Sequence, residues 1–550
     1  MKKILQFVLV GVLLGISVSA YGQIRNVTGQ VTSDLDGVAV EGVSVRLKGA
    51  ITAVTTDADG LYAIDVPENS SLVLVFTHED HDTQEIVIGG RSIVNVEMVN
   101  SVRFNQYGRR VNRTPLSVEE RDGILVFESA DQDYMLWFDL RIQADGAVFF
   151  GDTWNDIGNG VAMRRARWAF KAELTDRWEA EIDMDFADAL ADLKDAFLLF
   201  KATPRLDIKM GNFKERFSME QNTSSRWLTF MERPAALRTI APSRHIGLQF
   251  HYHRPYFVGV GGLHFQDVGD FEVVQYRKDN NAGLGINEGY SLTGKLTFIP
   301  FWYEIDRGLH FGVAGSYRTP KTHDSAINSV RFDSRSNVNI NRKKYLDTDR
   351  MLYTDNYQFY NFEFAGNYKG LKVATEYIMA NVNRGVDPFS GKDLDSEKFS
   401  GFYAMASYLL FGGTQLYNNY QGEYTQPING KPWGDVELAV RYDFADFNNK
   451  NGSENPADWG VMGGSGEGFT FALNYYAPKN VKFSINYGYL SFDRYANQRG
   501  RLITGVDVNG VPTRNPLLID PTRTTDFEGN AVPEPGERFH WIAVRFQVAF

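Results

Sequence analysis

Cysteine is missing from all 550 residues, so no disulfide framework holds this chain together. A basic excess is missing too: the formal net charge is −11, which argues against nucleic acid as a partner. After Gln23 no apolar run approaches the roughly 20 residues a helical membrane span needs, which excludes a helical membrane protein. Nine histidines are present, but none carries a recognisable nucleophile motif. His251 and His253 flank the short turn "HYHRP", while His264, His310 and His540 stand singly in strand-like segments. They read as structural histidines, so no enzyme is implied, and neither is a cofactor or a tightly bound metal.

What is plentiful points elsewhere. Aromatics make up 14%, with 27 Tyr and 39 Phe beside 51 Gly, a mixture that suits many strands with aromatic belts. The chain opens with "MKKILQFVLVGVLLGISVSAYGQ": two lysines, an apolar run from Ile4 to Val18, and small residues Ala20 and Gly22 at −3 and −1. That pattern is a secretory signal peptide over 1–22, which takes the protein out of the cytoplasm.

Residues 23–100 read as a separate β-sandwich. "VTGQVTSDLDGVAVEGVSVRLKG" alternates and breaks at Asp36-Gly37, "AVTTDADGLYAIDV" breaks at Asp59-Gly60, and "SLVLVFT" is a buried-strand run. "HEDHD" at 78–82 gathers histidines and carboxylates, but at an inter-strand turn it reads as a solvated loop, with Asp57 and Asp59 as turn formers. On Gly29-Gln30-Val31-Thr32, Gly42-Val43-Ser44-Val45 and Thr56-Asp57-Ala58-Asp59-Gly60, the segment resembles the carboxypeptidase-regulatory-like domain common at the N-termini of Bacteroidetes outer-membrane proteins.

A linker at 101–133 leads into a different pattern over 134–550. In "RRARWAFKAEL" Ala166, Trp168, Phe170, Ala172 and Leu174 share one parity; Arg165, Arg167, Lys171 and Glu173 share the other. "WEAEIDMDF" opposes Trp178, Ile182, Met184 and Phe186 to Glu179, Glu181, Asp183 and Asp185. "LDIKMG" (206–211), "VELAVRYD" (436–443) and "IAVRFQVAF" (542–550) repeat the scheme. Such segments recur too often for a two-sheet sandwich. Lipid accepts a sheet only when it is closed, apolar outside and polar inside. Candidate strands fall near 134–144, 161–174, 177–187, 194–202, 204–211, 244–253, 256–266 and 288–299. Eight more fall near 307–318, 357–368, 371–380, 400–411, 435–444, 467–476, 480–490 and 539–550. The expectation is an all-β fold: a closed antiparallel transmembrane β-barrel of about 16 strands behind a small sandwich. The C-terminal strand, with Ile542, Val544, Phe546, Val548 and Phe550, resembles the recognition signal of bacterial outer-membrane barrels.

Short and long connections alternate, with long ones at 267–287, 319–356 and 491–538. The stretch 412–434 breaks the rule, being long where a short turn is due. The third long connection, about 212–243, is aperiodic, rich in Phe217, Trp227 and Phe230, and net basic. A connection of that length is functional or disordered, and its aromatics argue for order.

Gly211-Asn212-Phe213-Lys214, Glu220-Gln221, Ser224-Ser225-Arg226 and Thr229-Phe230-Met231-Glu232-Arg233 resemble the hallmark segment of the phosphate-selective porin O and P family. "FDLRIQADGAVFF" (138–150), "RRAR" (164–167) and "LKDAFL" (193–198) fit as well. The resemblance implies a homotrimeric outer-membrane channel for small anions such as phosphate, with the third loop folded into the lumen and basic residues lining a constriction. Family match and lumen parity together nominate Arg141, Arg165, Arg167, Arg226 and Arg238, then Lys171, Lys214 and Arg233. Arg164 has lipid-facing parity but lies at the strand mouth, where a bulge could turn it inward. The facing acids Glu179, Glu181, Asp183 and Asp185 would cancel part of that field by cross-strand pairing. A general non-selective porin is the alternative, and an adhesive or structural role for the long loops is another. A plugged TonB-dependent transporter does not fit, because only about 33 residues separate sandwich and barrel. The sandwich is expected in the periplasm, with its partner unread.

Overall fold

The computed structural model describes residues 24–68, 72–112, 116–121, 123–187, 191–268, 289–320 and 328–550. The expected signal peptide at 1–22 and most of the long connection 267–287 lie outside the described residues. Contacts divide the chain into two units, Met1–Leu116 and Ser117–Phe550.

Among the described residues the first unit holds two small sheets and a two-stranded hairpin, Val102–Phe104 against Arg110–Asn112. Ile24–Ser33 pairs antiparallel with Leu61–Pro67 and parallel with Val96–Met98. Ser44–Leu47 sits between Ala53–Thr55 and Val73–His78, which in turn pairs with His81–Val87. Val27, Val31, Val45, Ile64, Leu74 and Phe76 form its core. Asp57 Oδ1 accepts from the amides of Asp59 (3.0 Å) and Leu61 (2.8 Å), the work of a turn former.

The second unit is a closed antiparallel barrel of sixteen strands. They are β1 (Tyr134–Phe150), β2 (Gly160–Leu174), β3 (Trp178–Asp185), β4 (Asp192–Thr203), β5 (Leu206–Lys214) and β6 (Arg244–Arg254). Next come β7 (Phe257–His264), β8 (Ser291–Phe298), β9 (Arg307–Arg318), β10 (Thr354–Tyr368) and β11 (Leu371–Arg384). The last five are β12 (Glu397–Leu409), β13 (Asp435–Asn448), β14 (Met462–Ala477), β15 (Val481–Phe492) and β16 (Glu537–Ala549). Each pairs with its chain neighbours, and β1 closes on β16 from Arg141↔Ala549 to Phe150↔His540. A hairpin, Leu116–Arg121 and Ile124–Ser129, extends the sheet beside the start of β1, with Val126 opposite Trp137.

Period two sets the faces. Trp168 (52% exposed) and Phe170 point out of β2, while Arg165 (5%) points in. The β1–β2 register slips at Gln143/Ala144, where Gln143 faces Arg165 and Ala144 faces Met163. Arg164 is the residue passed over, and this bulge turns it inward, where its Nε donates to Glu232 Oε1 at 2.6 Å.

The connection 215–243 folds into the lumen. A segment buried there needs partners for its backbone groups, because a loop cannot leave them unpaired away from water. The polar inner wall supplies them. Glu363 and Glu376 accept from the amides of Met219 (2.9 Å) and Glu220 (2.7 Å). Arg441, Asn474, Lys482 and Arg545 donate to the carbonyls of Glu232, Thr229, Leu228 and Met231 at 2.6–2.8 Å. Two short helices order the loop. In α1 (Met219–Asn222) the Ser218 hydroxyl accepts from Gln221 N at 3.1 Å. In α2 (Ala235–Ile240) Leu237 and Ile240 join an apolar cluster with Phe332, Phe359, Phe399 and Phe447.

Gly401 of β12 is what lets α2 approach the wall, since a Cβ there would lie 2.4 Å from Ala236 Cβ and 2.5 Å from Phe444 O. Gly401→Leu is therefore expected to lower barrel stability by about 1–3 kcal/mol through overpacking. Thermal unfolding followed by heat-dependent gel mobility measures it, and an unchanged midpoint would contradict this packing.

Candidate functional site

Loop and wall leave a cavity of about 320 Å³ on the β1–β6 side. β1 and β2 contribute Arg141, Arg165, Arg167 and Lys171; β5 and β6 contribute Lys209, Lys214 and Arg244. The loop adds Arg216, Arg226 and Arg233. Against these cations stand the carboxylates of Glu181, Asp183, Asp195 and Glu423.

Three of those acids are spoken for. Asp183 lies 3.5 Å from Arg167, which also meets Asp185 at 2.9 Å. Asp195 takes Arg244 at 2.7 Å, and Glu181 lies 3.6 Å from Lys171. Their oxygens fall within 4.8 Å of one another, but each sits beside a cation, so the group is a set of ion pairs. Lys171 also reaches Asp139 at 3.2 Å, and Arg226 pairs with that same carboxylate.

The other cations have neutral partners. Arg141 Nη1 donates to Ser225 Oγ at 2.8 Å, and Arg165 Nη1 donates to Gln143 Oε1 at 2.7 Å. Among the described residues, the Nε atoms of Arg141, Arg165 and Arg226 are buried without a partner. Arg233 donates to the carbonyls of Glu220 (2.8 Å) and Thr223 (2.6 Å), and Lys214 to that of Asn222 at 3.0 Å. Lys209 Nζ lies 3.9 Å from the Phe197 ring centre. Burial lowers the loop guanidiniums of Arg226 and Arg233 to about 10, which leaves both charged at neutral pH. Such a cluster of half-satisfied donors can replace part of the hydration of an anion.

The nominated residues thus meet in one place with one exception. Arg238 lies in α2 and donates to Ser334 Oγ (2.9 Å) and the Ser336 carbonyl (3.1 Å), away from the cavity. It anchors a second long connection to the constriction loop. Arg216, Lys209 and Arg244 line the cavity without having been nominated. Strand parity marks Lys209, which sits between the outward Ile208 and Met210, whereas nothing local distinguishes Arg216 or Arg244.

The stretch 412–434 also finds its place. It turns back into the lumen from the short-turn end as a small hairpin, Tyr417–Asn418 against Glu423–Tyr424. Tyr420 OH donates to Asp207 Oδ2 at 2.6 Å, and Arg216 Nη1 donates to the Gln421 carbonyl at 2.6 Å. Asp207 also has His251 and His253 within 3.5 and 3.7 Å. Gln421 lines both the basic cavity and a second one of about 620 Å³, which extends to Thr203, Pro204, Asp176 and Arg177 at the short turns.

A profile of the family described as phosphate-selective porin O and P matches residues 138–514. Porin O of Pseudomonas aeruginosa is 23% identical over 412 residues, covering 69% of this chain and 88% of that protein. A Caulobacter vibrioides protein without an assigned function is 28% identical over 342 residues, 61% of this chain and 64% of that relative. TonB-dependent receptor P3 of Formosa agariphila is 39% identical over 105 residues, which is 19% of this chain but only 10% of the receptor. Among solved structures, OmpT of Vibrio cholerae overlays with a TM-score of 0.43 at 10% identity, covering 76% of this chain and 98% of that one. An anion-selective porin from Comamonas acidovorans gives 0.42 at 10% identity, covering 76% and 100%. With its sixteen-stranded barrel and a family match over more than half its length, the chain belongs to the phosphate-selective porin O and P family of the outer membrane.

Proposed function

We propose that this chain is a passive outer-membrane porin for small anions, with phosphate as the preferred solute, and that it is not an enzyme. One observation carries the reading: around the 320 Å³ cavity the cations outnumber the acids, and Arg141, Arg165, Lys209, Lys214, Arg216 and Arg233 have no salt bridge among the described residues. At physiological salt the screening length is about 8 Å, so such groups share one potential across a narrow lumen. Planar guanidiniums match phosphate oxygens in pairs, and several weak sites in series let an ion enter and leave. The family's homotrimeric assembly belongs to this proposal. So do the signal peptide and a periplasmic N-terminal unit of the carboxypeptidase-regulatory-like kind.

The test is single-channel current of the purified protein under a KCl gradient, followed by phosphate titration. An anion-sign reversal potential is expected, with phosphate block. Arg165→Ala and Arg226→Ala should each weaken the block about tenfold or more, the value of one charged hydrogen bond. Anion preference without phosphate block would leave a less selective anion porin, and cation preference would overturn the reading.

The short-side hairpin narrows the same path. Replacing 416–425 by a tight turn should raise conductance by about twofold without reversing its sign, since it removes steric bulk and the single acid Glu423. Unchanged conductance would show that the route bypasses the hairpin.

A further inference from the structure

The barrel's outer wall holds a cavity that the pore does not use. Ladder register from β10 to β13 sets outward side chains in rows. One row is wholly aromatic: Phe362, Tyr377, Phe402 and Phe444. The next row toward the long-loop end reads Tyr360, Met379, Ser400 and Asp446. Beyond it come Gln358, Asn381 and Lys398. Ser400 is short between two longer neighbours, so the wall dips there into a cavity of about 420 Å³.

Its polar groups are under-used. Asn381 donates to Gln358 Oε1 at 2.9 Å and to Asn383 Oδ1 at 3.2 Å, but its own Oδ1 is buried without a partner among the described residues. Lys398 is exposed and has neither ion pair nor side-chain hydrogen bond among the described residues. Among the described residues, Asp446 accepts only from the Asn448 amide, at Oδ1 and 3.0 Å.

An aromatic row with polar rows above it is the profile of a membrane–water interface, and long loops mark the outer side. We propose that this cavity binds the head group of an outer-leaflet amphiphile built on a phosphorylated sugar. Lys398 meets the phosphate, while Asp446 and Asn381 Oδ1 accept from sugar hydroxyls. The acyl chains lie over the aromatic row. A bare phosphate head group would set its charge against Asp446; an ethanolamine ammonium would offset that with one donor group, whereas a sugar brings several hydroxyls that reach Asp446 and Asn381 Oδ1 together, which is why a sugar is specified. The proposal rests on the barrel's place in the outer membrane and is independent of ion selectivity.

Native mass spectrometry of the full chain in detergent, loaded with lipid A or with phosphatidylethanolamine, tests it. Lipid A is expected to survive as a bound adduct. Lys398→Glu and Ser400→Trp should each cut its retention about tenfold, with heat-dependent gel mobility and channel current unchanged. The proposal fails if the parent protein holds no lipid A, if phosphatidylethanolamine is held equally well, or if Lys398→Glu retains as much as the parent.

Discussion

A sheet that crosses hydrocarbon has nowhere to hide an unpaired edge, so both edges must meet. Here they meet along ten consecutive pairs, from Arg141↔Ala549 to Phe150↔His540. Closure fixes one face of every strand toward lipid and the other toward a small, crowded interior. Most charges carried by the strands are thereby gathered inside, where a buried ion needs a partner or a solute to take its place. The interior follows from how that requirement is met in different sectors.

On the β10–β16 side many of the inward polar groups are taken up by the loop. Glu363, Glu376, Arg441, Asn474, Lys482 and Arg545 hold the main chain of the in-folded loop, and an apolar cluster fills the space behind it. On the β1–β6 side the wall and the loop leave a cavity between them, and among the residues lining it cations exceed acids. Most of the loop's main-chain partners thus lie on one wall and the open cavity on the other, although Gln143 of β1 and Lys214 of β5 also hold loop carbonyls from the cavity side. Glu232 joins them, since its carboxylate takes Arg164 of one wall at 2.6 Å and Arg545 of the other at 3.1 Å.

Much of this was legible in the sequence because period two is a strong signal. It placed all sixteen strands and separated Arg165, Arg167 and Lys171 from Trp168 and Phe170. The family's hallmark residues located the loop, and the bulge that brings Arg164 inward was foreseeable from its position. What stayed hidden depends on contacts distant in the chain. Arg238 has the right charge in the right loop, yet a helical turn aims it at the carbonyl of Ser336, almost a hundred residues on. The stretch 412–434 is polar and turn-rich, and nothing in it announces a hairpin whose partners are Asp207 and Arg216.

The hairpin beside β1 carries a consequence for how the cylinder is assembled. β1 and β16 are separated by almost the whole chain of the unit, and contacts so remote form late, after the loop-closure entropy has been met. Val126, Phe127 and Glu128 pair with Trp137, Leu136 and Met135, which are near in sequence and available early. They occupy the first part of the β1 edge, and β16 pairs only beyond them, from Arg141↔Ala549, where the adjoining Phe550 amide donates to the Leu140 carbonyl at 3.0 Å. A local pairing thereby acts as a ruler for a remote one, marking the position at which the arriving strand must stop and guarding the seam against a slip of register.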